Sequence, residues 1–140
     1  MIKVNELRLD NFVVVNKGGY CNDNTVQKVT SISKKGINSW SDMGSSGFVK
    51  EEDMTHIQLT EEWLLKFGFE KDNDFGNWHL SAYEIFSSGN RDFVAATKED
   101  FVYWYNHSSD DYYSSVIKIN TVHQLQNLYF ALTGQELELK

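Results

Sequence analysis

Residues 121–134, "TVHQLQNLYFALTG", carry the longest helical pattern in the chain, and that pattern limits what the rest can be. Thr121 offers an N-cap oxygen and Gln124 follows three residues later, the spacing of a capping box. Val122, Leu125, Leu128, Tyr129 and Leu132 fall on one stripe. Gln124, Asn127 and Ala131 lie towards the other side, and Gly134 is a natural stop. A helix this short is marginal in water by itself, so its stripe needs an apolar surface to bury against. The neighbouring sequence must therefore supply a sheet.

A second helical pattern is shorter still. In "LTEEWLLKFGF" (59–69), Thr60 is placed to cap, Glu61 and Glu62 sit where the helix dipole favours negative charge, and Gly68 stops the element. Trp63, Leu64 and Phe67 are at helical spacing. Everything else reads as short strands and turns. Ahead of residue 60, "FVVV" (12–15), the alternating "TVQKVTSIS" (25–33), "GINSW" (36–40) and "THIQL" (55–59) predict four or five strands. The loop "NKGGYCND" has the Gly and Asn of a hairpin connection. After residue 68, strands are expected in "NWHLSAYEIFSS" (77–88, with a bulge where the parity changes), "RDFVAAT", "DFVYWYN", "SSVIKIN" and "ELELK". The chain has no Pro, so its turns rest on Gly, Asn, Asp and Ser.

The predicted fold is α+β. A small bent, SH3-like β segment spans residues 1–59, and a mainly antiparallel sheet with two helices spans 60–140, as two lobes or one compact domain.

"LTEEWLLKFGFEK" and "VHQLQNLYFALTGQEL", with "LRLDNFV" at 7–13, resemble a family of small uncharacterised proteins of Bacteroidota and their phages and prophages. The family's Gly stands as Asp10 here, which a left-handed turn would tolerate. The resemblance implies a phage or prophage setting. It implies no catalytic residue, because the family has none defined.

Charge narrows the function classes. Residues 1–50 hold seven Lys/Arg against four Asp/Glu, and residues 51–140 hold six against sixteen. So acidic a body repels phosphate backbones, which argues against general nucleic-acid binding. No apolar run reaches membrane-span length, the first residues lack a secretory h-region, and Cys21 is the only cysteine. These features predict a cytoplasmic protein of a bacterial host cell with no membrane partner.

Catalytic patterns are missing from the sequence. His56, His79, His107 and His123 have neither HxxxH nor HExxH spacing, "NHSSDD" (106–111) and "DNDFG" (72–76) read as polar turns, and "GSSG" (44–47) lacks a P-loop Lys. The expectation is a protein with no catalytic residue, no metal site and no cofactor.

Binding remains. "FVYWYNHSSDDYY" (101–113) is the densest aromatic stretch, and a strand that is aromatic on both faces leaves one exposed unless another layer covers it. Tyr103, Trp104, Tyr105, Tyr112 and Tyr113 are the candidate stacking residues, with Arg8, Lys28, Lys34 and Lys35 to meet phosphate. The sequence reading is a non-enzymatic phage or prophage accessory protein. It would counteract a host defence by sequestering a nucleotide-like ligand or by docking on a host protein. The alternative is a structural protein that self-associates into a homo-oligomer through an aromatic sheet.

Overall fold

Alternation along the first strands decides which face is core. Val13, Val15, Val29, Ile37 and Val49 are buried, while the residues between them turn outward or lie half-covered. A computed structural model describes residues 2–18, 21–42, 44, 46–71, 78–81, 92–96, 102–106 and 113–140. Side chains at 17–23, 79 and 81–117 fall outside that description. The chain divides into two units: Met1–Gln58 with Thr121–Asn127, and Leu59–Asn120 with Leu128–Lys140.

In the first unit, β1 (Phe12–Gly18), β2 (Cys21–Ser33), β3 (Gly36–Trp40), β4 (Ser46–Lys50) and β5 (Met54–Thr55) form an antiparallel sheet of order β4-β3-β2-β1-β5. Ser46 and Gly47, the end of "GSSG", begin β4. "THIQL" contributes only Thr55 to a strand, and Gln58 makes an isolated antiparallel bridge to Thr121. Ile2, Val4, Leu7 and Met54 complete the valine-rich core; Val4 belongs to a short 3-10 turn at Val4–Glu6, and a second such turn, Glu51–Asp53, precedes β5. A buried polar pair stitches β2 to β3, the Ser39 hydroxyl donating to Gln27 Oε1 at 2.6 Å. Ahead of β1, Asp10 takes φ 66°, a left-handed turn that lets Val29 N–H reach Asn11 O at 2.9 Å.

The helix α2 (Val122–Thr133) starts in this unit. Val122 and Leu125 are fully buried. Gln126, equally buried, accepts from Phe12 N–H at 2.9 Å and donates to Asp10 O at 3.0 Å. Asn127 donates to Glu6 O at 2.8 Å.

The second unit holds α1 (Glu61–Lys66) and the meander β6 (Glu70–Lys71), β7 (Trp78–Ser81), β8 (Asp92–Ala96), β9 (Val102–Asn106) and β10 (Tyr113–Lys118), antiparallel in the order β10-β9-β8-β7-β6. Two sheets and two helices make the fold α+β. The α1 cap is the one expected: Thr60 Oγ1 accepts from Trp63 N–H at 3.4 Å. At the other end Gly68, at φ 80°, allows paired bonds from Gly68 N–H to Leu65 O and Phe69 N–H to Leu64 O, each 2.9 Å. This Schellman arrangement satisfies carbonyls that the helix itself leaves open. Leu64, Phe67 and Phe69 are buried by this geometry.

Two expectations need correction. "ELELK" forms no strand; Leu137 is buried, and Lys140 N–H donates to Lys66 O at 2.9 Å. Leu132, expected in the core stripe, is 39% exposed, because the last turn before Gly134 has run past the surface that buries Tyr129. The bulge expected around 82–85 and the turns at 72–76 and 107–111 lie outside the described residues.

Candidate functional site

Strand pairing determines where the expected site residues go. Tyr103, Trp104 and Tyr105 lie on β9, an inner strand, opposite Ala95, Val94 and Phe93 of β8. Tyr113 opens β10 opposite Asn106. Tyr112 and the side chains of this stretch lie outside the described residues. The basic residues belong to the other unit. Lys28 is paired with Asp10 at 2.8 Å, and Arg8 N–H donates to Asn11 Oδ1 at 2.8 Å. Lys34 and Lys35 are exposed in the β2–β3 turn. Lys34 lines an open cleft of about 710 Å³ with Lys3, Asn5, Leu7, Ile32 and Glu51.

The outward face of β2, β3 and β4 is more apolar than the sequence suggested. Trp40 is 45% exposed and Phe48 is 47% exposed. Trp40 pairs with Ser46 and Asn38 with Phe48, so the two rings sit on neighbouring strands one diagonal step apart. Val26, also exposed, shares the face two residues along β2 from Lys28, the partner of Trp40. Alternation made "GINSW" a strand candidate, but only the pairing register reveals that Trp40 and Phe48 are neighbours.

A second feature of the first unit was invisible to spacing. The bridge from Gln58 to Thr121 and the bond from Val122 N–H to Ile57 O, 3.0 Å long, lay residues 56–58 against the start of α2. That places the His56 and His123 rings in a stack, with centroids 5.3 Å apart and planes 19° from parallel. The Asn127 bond to the Glu6 carbonyl brings the 3-10 turn alongside, with Glu6 Oε2 3.9 Å from His123 Nε2. One ring nitrogen from each His and one Glu6 oxygen all lie within 4.8 Å of one another.

His123 is buried, and its Nδ1 stands 3.1 Å from Thr121 Oγ1. The Thr121 hydroxyl, expected to cap α2, thus contacts a ring on the helix's own first turn. Nε2 is buried and has no hydrogen bond. Burial, and then the neighbouring His56, push the His123 pKa down to about 4, so the ring is neutral at pH 7.

No helix among the described residues is long and apolar enough to cross a membrane. Comparisons with protein-family models, with curated proteins and with solved structures find no match for the chain.

Proposed function

We propose that the chain is a small non-enzymatic accessory protein that docks on a host protein, in the phage or prophage setting its sequence resemblance implies, and so counteracts a host defence. The observation that carries this reading is the outward pair Trp40 and Phe48. Aromatic residues are enriched where interfaces bury their centres, and their exposure on a regular sheet costs solubility with no gain in stability. The strand order β4-β3-β2-β1-β5, with a 3-10 turn just before the short last strand, supports a bent, SH3-like form for this sheet. Such a form presents one curved outer surface to a partner.

The test is affinity capture from lysate of a Bacteroidota host, comparing wild type with a Trp40→Ser/Phe48→Ser variant. A protein held by wild type and released by the variant is the expected result. Equal recovery with both removes the reading.

A nucleotide-like ligand is the second reading, favoured by the cleft where Lys3 and Lys34 flank apolar Leu7 and Ile32. A thermal-shift screen with mononucleotides and cyclic dinucleotides tests it, since a ligand for the folded state raises Tm by mass action. Lys34→Ala should abolish any such shift. Self-association through an aromatic sheet is the rival from another class, and a mass that stays monomeric in light scattering at all concentrations eliminates it.

A further inference from the structure

We propose that Glu6, His56 and His123 bind a divalent first-row transition ion, of the Zn²⁺ class, with a coordination position left open. The three residues come from three separate segments: the end of the 3-10 turn, the stretch after β5 and the first turn of α2. Hydrogen bonds fix the three segments: the Asn127 side-chain amide donates to the Glu6 carbonyl, Val122 N–H donates to Ile57 O, and Gln58 bridges to Thr121.

Two imidazoles and one carboxylate, without thiolate, make a donor set suited to zinc and its neighbours. Magnesium and calcium prefer all-oxygen sites. His123 carries the argument further. Its side chain is 1% exposed and its Nε2 has no hydrogen bond, an arrangement that is costly for a polar atom unless something occupies that position. The Glu6 carboxylate stands 3.9 Å away, outside hydrogen-bond reach. The opposite ring nitrogen, Nδ1, meets the Thr121 hydroxyl at 3.1 Å. When Nδ1 bears the proton and donates it to Thr121, the Nε2 lone pair is free for a metal, the usual outer-sphere support of a ligating histidine.

Zinc–ligand bonds of about 2.0–2.2 Å place tetrahedral ligand atoms roughly 3.4 Å apart. The present spread, within 4.8 Å, must therefore close by about 1 Å or slightly more. Glu6, whose side chain is 42% exposed and whose carbonyl rather than carboxylate accepts from Asn127, would supply part of that movement, and the half-buried His56 ring the rest, turning out of its near-parallel stack so that both ring lone pairs meet at the ion. With three protein ligands, water or a group from a bound molecule would complete the set.

The experiment is calorimetric titration of the full chain, stripped with chelator, with Zn²⁺ and separately with Mg²⁺ at pH 7.5. Co²⁺ absorption serves as the readout of coordination geometry. The expected result is one Zn²⁺ per chain, no Mg²⁺ binding, and Co²⁺ bands of a four- or five-coordinate site. Glu6→Gln and His56→Gln should each weaken Zn²⁺ at least tenfold. Both variants alter groups that are not fully buried, so circular dichroism should show a native fold. His123→Gln should weaken Zn²⁺ about a hundredfold. Absence of saturable Zn²⁺ binding overturns the proposal. So does Zn²⁺ binding that Glu6→Gln and His56→Gln leave unchanged, which would move the ion to other ligands such as His79 or His107.

Discussion

The buried Gln126 side chain completes the hydrogen bonding of Phe12, accepting its N–H at 2.9 Å while donating to the carbonyl of Asp10 two residues earlier at 3.0 Å. One side-chain amide thus stands in for a strand neighbour at the entry to β1. Replacing it with Leu leaves a peptide N–H and a carbonyl without these partners. The cost of each is about 1–3 kcal/mol, so Gln126→Leu should destabilise the first unit by roughly 2–6 kcal/mol. Urea denaturation followed by circular dichroism measures it. A loss under about 0.5 kcal/mol, the usual size of a surface substitution, would mean that the amide bonds do not persist in solution.

Adjacent leucines of α1 offer a contrast. Leu64 is fully buried and Leu65 is 60% exposed. Leu64→Ala should cost about 2–5 kcal/mol and Leu65→Ala no more than about 0.5 kcal/mol. Reversed values would mean the helix has turned about its axis.

Gly36 opens β3 at φ 155°, and a Cβ there would collide with the Val49 carbonyl oxygen and crowd the Phe48 ring. The backbone oxygen cannot yield without breaking the β3–β4 ladder. Gly36→Ala should therefore cost about 2–4 kcal/mol. Gly44, at φ 81°, has open space around its missing Cβ, so Gly44→Ala should lose only the smaller cost of a left-handed backbone. Thermal melts of the two variants separate steric from conformational cost.

The His123 ring predicts a pH dependence for the metal-free protein. Its pKa is held near 4 in the fold against an ordinary value of 6.5. Between those values the unfolded chain binds the extra proton, so stability is full above about pH 6.5 and is lost as pH falls towards 4. Each pKa unit is worth about 1.4 kcal/mol, so the loss is on the order of 3 kcal/mol. Urea midpoints taken from pH 7.5 to 4 should fall for wild type and stay flatter over this window for His123→Gln. His56 and Glu6 face the same ring and are present in both proteins, so the difference between wild type and variant isolates His123.

Legibility in the sequence followed the range of the interaction. Thr60, Gly68 and Gly134 act through bonds to residues within one helical turn, and each does what its position suggested. The strands before residue 50 could be read because an apolar run, "FVVV", and the alternating "TVQKVTSIS" mark them. Leu132 misled because helical periodicity states which side a residue faces but not where the covering surface ends. "ELELK" misled because alternation needs a partner strand, and its backbone goes to the end of α1 instead. Neither the Trp40–Phe48 face nor the cluster of Glu6, His56 and His123 leaves a local trace. The first depends on the register of β3 against β4, the second on a bridge between Gln58 and Thr121.

That α2 divides between the units, with residues 122–127 in one and 128–133 in the other, has a consequence for biosynthesis. The valine sheet of the first unit is translated well before Val122, Leu125 and Gln126, which finish its interior. The nascent sheet must wait with one side unsealed until the helix emerges, the interval in which exposed apolar surface most invites chaperone capture.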